Sequence, residues 1–289
     1  MSKVLYVSDL DGTLMRNDET LSETTVRIIN ELVEKGLSFT YATARSVESA
    51  RPITGGLKLM LPAVTRNGAV LADNATGEHI KKSVFSEEEV SLLKDLLTDI
   101  PGCGYVSCFI GKEMIRTTMA GVHTVGLQGY LDYYKGDPTM KYMDSYEEMF
   151  LGLPGYVTCI GEKEEIEPIY DRVREHDCWE CIFQKDTYRD EYWLEICPKN
   201  CTKAKSLLKL KEDYGFDRLV VFGDSLNDVS MFKIADEAYA VSNARDELKK
   251  LATEVIGYNE EDAVAHFLEK AIKRSTLEEC DCTKKGEKE

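Results

Sequence analysis

Histidine, tryptophan and proline are scarce: four, two and seven among 289 residues. The histidines, His79, His123, His176 and His266, are dispersed, and no two have the spacing of a metal-ligand pair, so a histidine-built metal centre is not expected. Long basic runs are missing as well. With 52 acidic against 36 basic residues the net charge is −16, which supplies solubility and not the basic footprint that nucleic-acid binding requires. No apolar run approaches the ~20 residues of a membrane span, and the first apolar stretch is too short and too early for a signal peptide. A cytoplasmic protein with no nucleic-acid and no membrane partner is expected. Its oligomeric state is not legible.

Cysteine is not scarce, but its count is odd and its nine positions are scattered, which argues against a disulfide framework. Cys178 and Cys181 have CxxC spacing, and Cys280 and Cys282 lie in the charged tail that begins near Glu278 and is expected to fray. Combining them into a thiolate zinc site would need more typical spacing or a nearby histidine pattern, so reduced, unrelated thiols are expected.

The chain is 43% hydrophobic, enough for a sizeable core in one large domain or two ordinary ones. Residues 3 to 8 read as a buried strand. Ser22 opens a helix with a stripe at Val26, Ile29, Leu32 and Val33, closed by Gly36. Leu37, Phe39 and Tyr41 alternate as a second strand, which makes a βαβ unit. A strand and turn around Asn67-Gly68 follow.

From about residue 84 the texture changes. Ser86 and Glu89 form a capping box, Val90, Leu93, Leu97 and Ile100 give an apolar face, and Tyr105–Ile110 and Tyr156–Ile160 are strand-like. Glu164 to His176 reads as a helix. The parallel α/β texture is expected back near 191, with a strand at Tyr192–Ile196, a helix at Thr202–Tyr214, a strand at Leu219–Phe222, a helix at Asn227–Ala235, a strand at Ala238–Val241 and two amphipathic helices after it.

Four places carry chemistry. Asp9 and Asp11 follow the first strand as i and i+2, which puts them on one face if the pairing persists; two adjacent carboxylates need a cation or a shared proton. Magnesium, with substrate phosphate completing its shell, suits them, and so does a plain Asp-Gly turn after a strand. Thr43 and the Ala44 amide close the second strand, where a hydroxyl and an N–H suit phosphate oxygens. Asp224 ends another strand, and Asp228 stands four residues on at a helix start, where simple capping is the competing explanation. Lys203 opens a helix against the dipole preference; a bound phosphate explains that placement, whereas Lys205 reads as solvated. Ligands bind beyond the carboxyl ends of strands in open parallel α/β sheets, and three of the four places are such ends.

In this order, Asp9-Leu10-Asp11-Gly12-Thr13, Thr43, Lys203 and Gly223-Asp224-Ser225-Leu226-Asn227-Asp228, with Asn67-Gly68-Ala69 and Asn243-Ala244, the chain resembles the haloacid dehalogenase superfamily, in its Cof-like sugar-phosphatase branch. The resemblance implies an α/β fold: a Rossmann-like parallel sheet core over 1–83 and 191–289, with an inserted α+β cap of C2 type over 84–190. It implies that Asp9 attacks phosphorus and that Asp11 protonates the leaving oxygen and then activates water. Mg2+ would bind the Asp9 carboxylate, the Asp11 backbone carbonyl and Asp224, with Asp228 nearby. Thr43, the Ala44 amide, Lys203 and Asn227 would hold the phosphoryl group. Ala44 departs from the glycine many relatives carry, although its N–H can still donate.

The expected function is therefore a magnesium-dependent phosphatase of small phosphate esters, sugar phosphates first among them. A phosphomutase and a non-catalytic phosphate sensor are the alternatives. Arg45 is read as a structural ion pair ahead of a substrate contact. His123, Tyr133, Tyr134 and Arg189 are candidates for selecting substrate, with packing or surface roles favoured for each, and packing is favoured for Tyr130–Tyr134 as a whole.

Overall fold

The computed structural model describes residues 3–273. In chain order the first part comprises β1 (Val4–Ser8), α1 (Glu23–Glu34), β2 (Ser38–Tyr41), α2 (Val47–Thr54), β3 (Ala63–Thr65), β4 (Val70–Ala72) and β5 (His79–Lys82). The middle comprises α3 (Glu87–Leu96), α4 (Ile100–Cys103), β6 (Gly104–Ile110), β7 (Glu113–Met119), α5 (Val125–Tyr133), β8 (Met140–Met143), β9 (Leu153–Gly161), α6 (Lys163–Val173), β10 (Trp179–Lys185) and β11 (Tyr192–Pro198). The last part comprises α7 (Lys203–Asp213), β12 (Arg218–Gly223), α8 (Val229–Phe232), β13 (Glu237–Ala240), α9 (Asp246–Lys249), β14 (Glu254–Val255) and a helix over 263–273. Cys280, Cys282 and the tail from Glu278 lie outside the described residues.

The chain divides into two compact units. One takes the chain up to Ala63, Asp73–Gly77 and everything from Leu207; the other takes Val64–Ala72 and Glu78–Ser206. These limits differ from 84–190 at both ends: most of the β3-β4-β5 segment joins the second unit, and so does β11. It alternates as expected, but it pairs antiparallel with β9 and β10, so the parallel texture resumes only at β12. The expected helix over Asn227–Ala235 is also shorter: a single turn over Leu226–Asp228 leads into the four residues of α8.

The first unit is built on an all-parallel sheet in the order β14-β13-β12-β1-β2. Leu5 and Val7 of β1 and Leu219, Val221 and Phe222 of β12 are fully buried, as strands covered on both faces require. Chain order reverses between β1 and β12: β1 continues to β2 on one side and β12 to β13 on the other. That makes their carboxyl ends the switch point where such sheets take ligands. Helix α1 begins as its sequence dictates: the Ser22 hydroxyl accepts the Thr25 amide at 2.9 Å and donates to Asp262 at 2.5 Å, and Gly36 turns the chain out at φ +97°.

The second unit holds a six-stranded sheet, β10-β11-β9-β6-β7-β8, and a small sheet, β3-β4-β5. Directly opposed residues share a face. Leu194 and Ile196, Val157 and Cys159, Val106 and Cys108, and Ile115 line one face and form the core with Leu93, Ile100, Ile166 and Ile169 from the helices. The capping box of Ser86 and Glu89 starts α3, and Ile100 begins the separate turn α4. The opposite face carries Trp193 and Glu195, Thr158 and Tyr156, Tyr105 and Ser107, and Arg116.

Two glycines with similar backbone angles meet different surroundings. Gly68 has φ +103° and a Cβ there would lie 2.4 Å from the Thr202 carbonyl oxygen, whereas Gly36 at φ +97° has nothing within 4 Å. Gly36→Ala is expected to cost about 1 kcal/mol from backbone strain alone. Gly68→Ala is expected to cost at least about 2 kcal/mol more, because backbone must move. Urea unfolding of the two variants measures the difference.

Candidate active site

Strand β1 ends at Ser8, and the chain enters a wide turn over Leu10–Leu14 in which the Met15 amide donates to the Leu10 carbonyl at 2.9 Å. Asp9 stands at the joint, 3% exposed, with its amide donating to Phe222 O of β12 at 2.9 Å. The strand therefore does not persist to Asp11, and the same-face rule stops applying at Ser8. Asp9 joins Asp224 and Asp228, whose carboxylate oxygens lie within 4.8 Å of its own, all three residues being buried. Asp11 turns elsewhere. Its carboxylate accepts Arg45 Nε at 3.0 Å and Arg45 Nη2 at 2.7 Å, and the same Nη2 donates to Glu19 Oε2 at 2.7 Å.

Backbone and hydroxyl donors fix the acids. Asp228 Oδ2 accepts the amides of Asp224 and Ser225 at 3.0 and 3.1 Å, so the acid at the end of the Leu226–Asp228 turn clamps the acid at the end of β12. Thr13 Oγ1 donates to Asp224 Oδ1 at 3.0 Å, and Asn243 Nδ2 donates to the Gly12 carbonyl at 2.7 Å. A cluster of carboxylate oxygens suits a hard divalent cation such as magnesium, and Asp9, Asp224 and Asp228 are the side chains that fit one. Cys178 and Cys181 are free thiols, and among the described residues neither belongs to a group of metal-ligating side chains.

Thr43 is fully buried after β2, and its hydroxyl accepts the Arg45 amide at 3.1 Å; Ala44 beside it is half-buried, as is Asn227. Burial works against the charge of Arg45, but Asp11 and Glu19 outweigh it and hold the guanidinium more firmly protonated than usual. The ion-pair reading of Arg45 thus describes its contacts. Glu19, which completes the network at φ +62°, carried no sequence signal, and Thr13 was visible only as part of a motif.

Lys203 lies in the second unit as the first residue of α7, 1% exposed. Lys205 is half-exposed and pairs with Glu180 at 3.8 Å. In the same unit the Asn67-Gly68 turn forms with positive φ at both residues, and Asn67 Nδ2 donates to Tyr156 Oη at 2.8 Å and Glu195 Oε2 at 2.9 Å. Among the remaining candidates, His123 bonds the Met119 carbonyl at 2.8 Å, Tyr133 is exposed, and Arg189 pairs with Glu191 at 3.7 Å. Tyr130 and Tyr134 pack into a cluster with Tyr105 and Trp193.

An open parallel sheet with buried acids at its switch point defines an α/β enzyme that works on a ligand at the carboxyl edge of its strands. The chain belongs to the haloacid dehalogenase-like hydrolases, whose family model matches residues 6–268. It is a phosphoric monoester hydrolase of that type. It is 28% identical over 277 residues to the 5-amino-6-(5-phospho-D-ribitylamino)uracil phosphatase YitU of Bacillus subtilis, covering 91% of this chain and 96% of that one. It is 26% identical over 282 residues to the HMP-PP phosphatase of Serratia proteamaculans, covering 92% and 94%. Its fold is shared with TM0651 of Thermotoga maritima, at TM-score 0.73 and 24% identity over 93% of this chain and 97% of that one.

Burial raises the Glu195 carboxyl above its ordinary value of 4.5, against hydrogen bonds from Tyr156 and Asn67 and the fields of Arg66 and Lys203. The folded state therefore holds this proton where the unfolded chain has released it. The contribution is fully favourable below pH 4.5 and is lost as pH rises through the raised value. Urea midpoints measured at steps upward from pH 4.5 should fall less steeply for Glu195→Gln than for the parent.

Proposed function

We propose that the chain is a magnesium-dependent, cytoplasmic phosphatase of small phosphorylated metabolites, sugar phosphates among them, working through an aspartyl phosphate. The observation that carries this reading is the buried cluster of Asp9, Asp224 and Asp228 at the switch point. The relatives named for a phospho-ribitylamino compound and for HMP-PP support small phosphate esters as the substrate class.

Asp9 attacks phosphorus, a new P–O bond forms to its carboxylate, and the bond to the leaving oxygen breaks as Asp11 donates a proton to that oxygen. Water then attacks the phosphorus of the acyl phosphate, Asp11 takes its proton, and inorganic phosphate leaves with Asp9 restored. Asp11, paired with Arg45 as a carboxylate, has to leave it and take up a proton from solvent before it can donate one, Glu19 remaining to hold the guanidinium; the proton later taken from water restores Asp11 for the next turnover. Thr43, the Ala44 amide and Asn227 hold phosphoryl oxygens, and Lys203 neutralises their charge. Asp9, the Asp11 carbonyl, Asp224 and Asp228 would hold magnesium, which would supply charge neutralisation at the phosphoryl group. Residues 84–190 act as the cap that selects the ester.

Phosphate release from an aryl phosphate tests the reading. Activity should require magnesium, vanish with EDTA, and fall by at least about a thousandfold in Asp9→Asn. Equal rates from Asp9→Asn and parent would remove Asp9 as the nucleophile.

A further inference from the structure

The polar face of the six-stranded sheet is buried, yet it is not internally satisfied. Ser107 and Thr158 are fully buried, and their hydroxyl oxygens have no hydrogen-bond partner; neither has Trp193 Nε1. The register places them together: Thr158 stands opposite Tyr105 and Glu195, Ser107 opposite Tyr156 and Arg116, and Trp193 opposite Ile160. Ser107 and Thr158, and Thr158 and Trp193, are diagonal neighbours on adjacent strands, a relation that sets such positions about 7–8 Å apart. Buried polar atoms are nearly always paired, and three orphans on one face call for a missing partner.

Arg66 overlooks the same patch. Its Nη1 donates to Tyr105 Oη at 3.4 Å, and its guanidinium lies over the Tyr156 ring at 5.3 Å. Its Nε is buried with no partner, and no carboxylate pairs with it among the described residues. The contrast is Arg116, whose charge is met by Asp137 at 2.6 Å. Glu195 reaches Arg66 only through space, with one oxygen spent on Asn67. Three consecutive residues with positive φ, Arg66, Asn67 and Gly68, hold the arginine in this position, a backbone arrangement that costs energy at the two residues that are not glycine. A buried guanidinium without a counter-ion is strongly disfavoured, and an anion is the natural remedy.

We propose that this face is a binding site for a hydroxyl-rich small molecule that carries an anionic group. Arg66 takes the anion, Ser107, Thr158 and Trp193 Nε1 bond hydroxyls spaced along a polyol chain or ring, and the aromatic rings supply flat apolar contacts. The Tyr105 and Tyr130 rings stack at 4.8 Å, and Tyr130 Oη accepts Arg116 Nη1 at 2.7 Å, so Tyr130, with Leu127 and Leu131 of the same helix, packs against the Tyr105 part of this face. Entry requires these α5 side chains to move. The inference rests on the reading of residues 84–190 as the part that selects substrate, extended to Arg66 and Trp193 of the same unit, and it narrows the ester to a hydroxyl-rich one with an anionic group that Arg66 takes.

The probe is gluconate, which has hydroxyls and a carboxylate but no phosphate ester, titrated into full-length Asp9→Asn protein and read by tryptophan fluorescence. Only Trp179 and Trp193 report, and Trp179 is already bonded to the Val173 carbonyl at 2.8 Å. Saturable binding is expected, weakened about tenfold or more by Arg66→Met and by several-fold in Thr158→Val, with neutral sorbitol about tenfold weaker than gluconate. Thr158→Val deletes an orphan hydroxyl, so it should fold at least as well as the parent and keeps the test open if Arg66→Met does not. No saturable change in folded protein, or equal affinity in both variants and parent, overturns the site. Aryl phosphatase activity without gluconate binding sinks this inference alone; gluconate binding without phosphatase activity sinks the enzymatic reading and leaves the site standing.

Discussion

Mutual repulsion among three buried carboxylates is the constraint on which the first unit's architecture turns. At the 4.8 Å limit of their separation and an effective dielectric near 20, each pair of charges repels by roughly 3 kcal/mol. The chain does not avoid this; it arranges local donors to hold it. Two amides on Asp228 and the Thr13 hydroxyl on Asp224 fix the acids where repulsion would otherwise splay them. Those donors come from the turns that follow β12 and β1. A preorganised cluster of this kind has its reorganisation cost already met by folding when a cation arrives.

The second unit is held by a different balance. One face of its sheet is an apolar core that needs no polar partner, and the other carries arginines, tyrosines and hydroxyls that do. Arg116, Asp137 and Tyr130 satisfy one another, whereas Arg66 Nε and the hydroxyls of Ser107 and Thr158 are left without a partner. Such an unequal distribution is not what packing alone selects, because replacing an orphan hydroxyl by an apolar group is close to neutral for stability.

Much of this was legible in the chain itself. Ser22 and Gly36 bound α1 because capping and left-handed φ are local chemistry, and Ser86 with Glu89 starts α3 for the same reason. Strand periodicity found β6, β9 and β11, but alternation says nothing about which strand lies alongside, so β11 was read into the parallel sheet when its partners are antiparallel. At the site, Asp9, Asp224 and Asp228 could be singled out because each follows or caps a regular element. Glu19 and Arg66 could not: each is a single charged residue held at positive φ by its surroundings, and neither periodicity nor capping marks such a position.

Arg45 shows how the two kinds of information combine. The sequence offered an arginine two residues after Thr43, read as a structural ion pair ahead of a substrate contact. The structure gives it a two-pronged grip on Asp11 together with a second acid, Glu19, on the same Nη2. A guanidinium bound to two carboxylates can release one without being left buried and unpaired, which a single pair could not do at the same cost. Glu19 therefore makes the Asp11–Arg45 pair separable, as the proposed proton transfer by Asp11 requires.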